Sequence, residues 1–486
     1  MKKETLQNAV ANLKDSLIDE AAENKKVKKI NYNFVKWSSL VAAILVIVMV
    51  TVIFTEPMGG SKTPGVLSAQ GLKVIEPEYP EMNKYPSETD MGDWENYEAA
   101  LKAWRNDKAK QKNQYEGYSE GLENYLKATV KEFLKDSGNE NKAFSPMNLY
   151  FALGMLSEVT EGESRKDILN LLGSNNINSL RKQAKAIWNA NYSDDGISTS
   201  LLGSSIWIDN SLTVYDTPLN SLKENYLASS YYGDIGSEEV NEALRSWLNE
   251  HTGDFLKESV DDLELDEATL LAIASTLYFK DRWDMEFGKG STEQEIFYAS
   301  GGEVEADFMK GWEYGKFYVS DNFSAFKKNF LGGGGMWFIL PDEDTDLESV
   351  LSEDNTLEFI ANNGEGTENK EILVNLSIPK FDVKSDLNLN EGLKNLGLSD
   401  LFAYGKADFS ALTDTGLAVS DVKQSARVKI DEEGVEAAAY TVITADGGAL
   451  LPEDEVDFVL NRPFIYVITG ADGLPLFVGV INNPAK

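Results

Sequence analysis

The chain has no cysteine at all, and that absence closes several routes at once. It excludes a disulfide framework, a cysteine nucleophile, a thiolate metal site and lipid attachment through an N-terminal cysteine. Histidine is nearly absent too. His251 is the only one among 486 residues, so a multi-histidine zinc site is impossible and a Ser-His-Asp triad would rest on a single side chain. A lone histidine beside Glu250 reads as a surface residue rather than a general base. Positive charge is also scarce, 45 Lys and Arg against 80 Asp and Glu, for a formal net charge of −35. Such acidity argues against nucleic acid and for a self-repelling, well-solvated surface.

What is present changes character along the chain. Residues 1–36 carry eight lysines against five acids, with Leu6, Val10, Leu13, Leu17 and Ile18 at helical spacing, which reads as an amphipathic helix. From Trp37 to Thr55 no charge occurs, and Leu40 to Phe54 is almost continuously apolar. As a helix this run would be about 28 Å long, close to one bilayer core. Lysines precede it and Glu56 follows. The positive-inside pattern therefore predicts a single-pass membrane protein with residues 1–36 as a cytoplasmic tail, 37–55 as the transmembrane helix and the remainder extracytoplasmic. The long charged stretch before the run and the lack of a small-residue cleavage site argue against a cleaved signal peptide.

Residues 56–116 are rich in Pro, Gly and acids before Trp94 to Lys112, which reads as a surface helix on an extended spacer. From about residue 117 onward helices and strands are interspersed. Helices are expected over Leu122 to Leu134, Pro146 to Val159 (apolar nearly all round, hence buried) and Ser164 to Leu172. Strands are expected over Ser204 to Ile208, Leu277 to Phe279, Met336 to Leu340, Ile372 to Ile378, Phe464 to Ile468 and Leu476 to Ile481, the last two as a hairpin. This alternation indicates an α+β domain with antiparallel sheets over residues 117–486.

The stretch Ile430 to Phe464 carries contradictory local preferences. Glu432-Glu433-Gly434 and Ala437-Ala438-Ala439 favour a solvated helix, Tyr440 to Thr444 favours a strand, and Asp446-Gly447-Gly448 breaks either. A chain that must be loop in one state and strand in another needs such a conflict.

This stretch resembles the reactive loop of a serpin. About 370 residues resemble that family in order: Asn141-Lys142-Ala143-Phe144-Ser145-Pro146, Leu277 to Trp283, Phe338-Ile339-Leu340-Pro341, Ile378-Pro379-Lys380-Phe381, Ala407-Asp408-Phe409-Ser410, and Val459 to Ile468 with Leu476 to Pro484. The resemblance, taken as to a bacterial-type, membrane-anchored serpin, implies a fold of three β-sheets and about nine helices with an exposed reactive loop. It implies no enzyme, no catalytic residue, no metal and no cofactor. The implied activity is suicide inhibition of a serine-type protease: the enzyme attacks the loop, and the cut loop inserts as a strand into the main sheet and deforms the trapped acyl-enzyme. The implied hinge is Glu432, Glu433, Gly434, Val435, Glu436, Ala437, Ala438 and Ala439. With Glu436 facing solvent, Val435, Ala437, Ala439, Thr441 and Ile443 face the core as small or β-branched residues, and no proline interrupts residues 432–451.

The residue before the cut bond falls among Gly447, Gly448, Ala449, Leu450 and Leu451, in a loop about four residues longer than is common. No Lys or Arg lies between Asp431 and Asn461, so the partner implied is elastase-like or subtilisin-like and not trypsin-like. The sheet-opening cluster implied by the resemblance is Ser145, Asn148, Ser275, Trp283 and Gln424. Gln424 stands where many serpins have a histidine, which excludes a pH-sensitive version. The other partners expected are the membrane, through residues 37–55, and no nucleic acid, with the protein a monomer. Two other readings compete: a non-inhibitory serpin-fold surface module, and a transmembrane signalling protein acting through residues 1–36.

Overall fold

A computed structural model describes residues 40–51, 66–67, 72–86, 94–434 and 454–486. The described parts of the unit from Ser38 onward are built on two nine-stranded sheets. In the first, the order is Phe381–Asn388, Ala418–Ile430, Leu40–Thr51, Thr269–Asp281, Thr199–Asp209, Ala228–Gly233, Lys73–Ile75 and Val66–Leu67, with Ser193–Asp194 pairing on Thr199–Asp209. The second runs Glu455–Val459, Asn369–Pro379, Gly302–Val319, Phe323–Asn329, Gly335–Pro341, Phe464–Thr469, Pro475–Ile481 and Lys142–Phe144, with Thr292–Ala299 on Gly302–Val319.

Two sheets rather than three appear because Gly302–Val319, 18 residues long, pairs in turn with Thr292–Ala299, Asn369–Pro379 and Phe323–Asn329. One continuous hydrogen-bonded strand thereby joins what would otherwise count separately. Eleven α-helices occur among the described residues, against the nine or so expected.

The largest correction concerns the apolar run. Among the described residues, no helix is long and apolar enough to cross a membrane, and Leu40–Thr51 is a strand at the centre of the first sheet. The anchor, the membrane as partner, and the single-pass topology with a cytoplasmic N-terminus and an extracytoplasmic domain, are overturned by this finding. The physical reason lies in the two faces of that sheet. Val46 and Val48 belong to the main core, which also holds the helix Pro146–Val159, all of whose residues are buried. Leu45, Ile47 and Met49 belong to a second core with Val240, Leu244, Trp247 and Leu248 of the helix Glu238–His251. A strand buried on both faces loses the apolar–polar alternation and reads as a continuous apolar run. Fully burying each such side chain contributes about 1.5–3 kcal/mol.

The part of the chain read as a spacer is docked where it is described. Val74 pairs with Tyr231, and Tyr79 packs its ring against Trp188 and Tyr192 at centroid distances of 5.8 and 5.9 Å. The helix Trp94–Lys112 is held by Trp104 Nε1 donating to Asp195 Oδ2 at 3.0 Å and by Lys108 Nζ at 2.6 Å from the same carboxylate. Residues 1–36, with their amphipathic pattern, lie outside the described residues.

Candidate functional site

The helix Pro146–Val159 starts where Ser145, in extended backbone, accepts the Asn148 amide N–H on its side chain, and Pro146 sits at the first helical position. This cap fixes both polar side chains beneath the middle of the first sheet. Ser145 and Gln424 then bond reciprocally: Ser145 N donates to Gln424 Oε1 at 3.0 Å, and Gln424 Nε2 donates to Ser145 O at 3.1 Å. Asn148 Nδ2 donates to Ser275 O at 3.0 Å, and Ser275 Oγ returns a bond to Asn148 Oδ1. All four residues are at most 1% exposed. Each of these four buried side chains thus has a partner, as a buried polar group requires.

Between Ser275 and Gln424 stands Val46, their register partner on both sides. The strand Leu40–Thr51 is antiparallel to Ala418–Ile430 on one side and to Thr269–Asp281 on the other, with a single register shift in each ladder near its end.

Trp283 does not join the central four. It lies beyond Asp281, which at six residues from Ser275 is about 20 Å along the strand. There it is 1% exposed, donates from Nε1 to Asp431 O at 2.9 Å and stacks on Phe330 at 5.1 Å. Beneath it, Lys328 Nζ lies 5.6 Å from the Trp283 ring and pairs with Glu313 at 2.8 Å, both side chains being buried. Burial lowers the Lys328 pKa, and the Glu313 charge opposes that shift.

The first residues of the expected hinge, Glu432 to Gly434, stand at this corner. Gly434 has φ +72°, and a Cβ there would stand 2.5 Å from Arg282 Cα and Trp283 N. Both the left-handed backbone and the close approach require glycine. Glu432 takes Lys380 Nζ at 2.6 Å and the Thr292 hydroxyl, and its backbone carbonyl accepts the Phe287 N–H at 3.0 Å. Burial pushes the Glu432 pKa up, but Lys380 and Thr292 outweigh it and the net shift is downward. Glu433 pairs with Lys289.

Asp431, missed in the sequence because it opens an acidic run that reads as solvated, is 5% exposed. Its Oδ1 accepts the Glu433 N–H at 3.1 Å, while Oδ2 has no hydrogen-bond partner among the described residues. Burial pushes its pKa up to about 6. Lys328, Glu313, Thr292 and Lys380 were likewise missed. No periodicity separates a buried ion pair from ordinary surface charge.

The other residues expected in the hinge, Val435, Glu436, Ala437, Ala438 and Ala439, and the five candidates for the residue before the cut bond, Gly447, Gly448, Ala449, Leu450 and Leu451, lie outside the described residues. His251 is corrected from a surface side chain to a packed one. Its ring stacks on Trp247 at 4.2 Å, its Nδ1 lies 2.8 Å from Trp247 O, and burial lowers its pKa. Among the described residues no group of three or more His, Cys, Asp or Glu could hold a metal.

The family described as serpin (serine protease inhibitor) matches residues 124–484. The chain is 29% identical over 370 residues to Serpin-ZX of Arabidopsis thaliana, covering 72% of this chain and 93% of that protein. It is 27% identical over 363 residues to alpha-1-antitrypsin of Meriones unguiculatus, covering 72% and 86%. A solved Arabidopsis serpin in its native stressed conformation superposes with a TM-score of 0.65 at 27% identity, covering 76% of this chain and 98% of that one. The chain therefore belongs to the serpin family. Members of this family are in general protease inhibitors rather than enzymes, some being non-inhibitory. The named relatives are plant and animal proteins and lend no support to the bacterial attribution.

Proposed function

We propose that the protein is a suicide-type inhibitor of a serine-type protease, elastase-like or subtilisin-like, whose cleaved reactive loop adds a strand to the first sheet. The observation that carries the proposal is the hinge. Gly434, at φ +72°, is held against Arg282 and Trp283 at the end of the strand Thr269–Asp281, so the chain can turn there from Ala418–Ile430 back toward the middle of the sheet. A peptide that adds to a sheet gains its main-chain bonds, and strain stored in the uncut form can drive the step. Glu432 to Ala439 form the hinge in this reading, and one of Gly447 to Leu451 precedes the cut bond. Ser145, Asn148, Ser275 and Gln424 then govern how the sheet parts. The absence of Lys and Arg between Asp431 and Asn461 leaves a trypsin-like enzyme no basic residue to bind.

The test is a panel of elastase-like, subtilisin-like and trypsin-like enzymes, scored by SDS-resistant adducts and by mass spectrometry of the released fragment. Adducts with the first two classes, cut within residues 447–451, are expected once the centre of the first sheet is free of Leu40–Thr51. Cleavage by both without any adduct from a chain whose Leu40–Thr51 strand has been displaced, or a cut elsewhere, overturns the proposal.

One observation favours a second reading, a non-inhibitory serpin-fold binding module: the centre of the first sheet already holds Leu40–Thr51. Cleavage without adduct in every variant of the chain would support that reading.

A further inference from the structure

The strand Leu40–Thr51 is hydrogen-bonded along both sides, from Val41 opposite Lys429 to Thr51 opposite Ala418, and from Leu40 opposite Asp281 to Thr51 opposite Thr269. Its middle, Val46, is level with the Ser275 and Gln424 side chains that tie the sheet to the helix beneath. The end at Leu40 and Val41 lies beside Asp281 and Lys429, at the corner where Gly434 meets Arg282 and Trp283.

A chain leaving Ile430, turning at Gly434 and running back antiparallel to Ala418–Ile430 would need the same two ladders. One slot therefore has two claimants within one polypeptide. Their side chains are unequal. Leu45, Val46, Ile47, Val48 and Met49 are large, apolar and at most 8% exposed, filling both cores. The loop offers Val435, Ala437 and Ala439 on one face and Glu436 on the other, which bury less apolar surface.

We infer that Leu40–Thr51 is an autoinhibitory strand, which occupies the insertion slot of the first sheet and keeps the protein from trapping a protease until the strand leaves. The inference rests on the insertion reading above. It makes the N-terminal segment, rather than the reactive loop, the regulated element of the molecule.

The test uses the full chain. Because the protein has no cysteine, the pairs V46C/S275C and I47C/A274C can staple the strand in place; neighbouring pairs alternate between closely and widely spaced, so one of the two suits a disulfide. In a third variant, V46D/V48D, two charges at positions that are 0% exposed expel the strand. Each protein is cut in its reactive loop by subtilisin, and Tm is read before and after.

At least one cysteine pair should crosslink on mild oxidation. Wild type and the oxidised staple should show no rise in Tm on cleavage. V46D/V48D should start lower, rise on cleavage and gain an adduct that wild type lacks. If wild type rises as much as V46D/V48D, if neither pair crosslinks in a folded chain, or if the oxidised staple still forms an adduct, the inference is overturned. Should V46D/V48D not fold, the single substitution V48D takes its place, and the crosslink still decides whether the strand fills the slot. If V46D/V48D rises on cleavage yet forms no adduct, Leu40–Thr51 fills the insertion slot but guards no inhibitor, so the inhibitory reading falls and the autoinhibitory role with it.

Discussion

Asp431 places a titration just past the end of the strand Ala418–Ile430. Its pKa is raised from 3.8 to about 6 because burial penalises the charge and Oδ2 finds no donor among the described residues. A carboxyl whose folded pKa is raised binds its proton more tightly folded than unfolded. Its contribution to stability is therefore complete below about pH 4 and is lost as pH rises through 6. D431N keeps an acceptor for the Glu433 N–H and removes the ionisation. It should raise Tm clearly at pH 8 and little at pH 3.5. Equal shifts at the two pH values would show that the carboxyl is not the titrating group. His251 works in the opposite sense, since its lowered pKa removes stability as pH falls through its ordinary value, so the two effects partly cancel between pH 5 and 7.

Among the elements, the docked helix Trp94–Lys112 is held in part through one buried carboxylate. Asp195, whose side chain is fully buried, accepts from the Ile197 and Ser198 amides, from Trp104 and from Lys108. K108M leaves three donors to a buried carboxylate without the charge that balances it, and should cost about 1–3 kcal/mol. Urea denaturation should register that loss as a lower midpoint at unchanged slope. A loss below about 0.3 kcal/mol would mean that the docking is an independent, weakly coupled contact. The apolar run teaches more at this scale. Its composition fits a membrane helix and a doubly buried strand equally, because both environments exclude water from every side chain. Length does not separate them either, since the uncharged run from Trp37 to Thr55 is long enough for a helix of about 28 Å and equally contains a twelve-residue strand of about 40 Å.

At the scale of the whole molecule, the charge of −35 predicts that stability rises with ionic strength. The screening length shortens from about 30 Å at 0.01 M to about 8 Å at 0.15 M, which weakens repulsion among the surplus carboxylates. Thermal unfolding at the two salt concentrations should give a higher Tm in the second. A flat or falling response would show that ion pairs such as Arg181–Glu158 and Lys328–Glu313 already compensate the field.

Much of the fold was legible in the order of residues. The helices Leu122–Leu134 and Pro146–Val159 and the C-terminal hairpin stand where apolar spacing and turn residues put them, since each is set by local pattern. The motifs around Ser145, Trp283 and Ile378 were enough to indicate the family. Other features depended on neighbours distant in the chain. Burial of Asp431 follows from its place in the packed fold, the pairing of Lys328 with Glu313 joins adjacent strands, and His251 packs against Trp247 and stands close to Gly203. The fate of Leu40–Thr51 depended most of all on partners far away, since its two ladders come from residues 269–281 and 418–430. Sequence determined that this segment must be removed from water. Only the tertiary structure decided that a sheet does so, because backbone pairing across hundreds of residues leaves no local pattern to read.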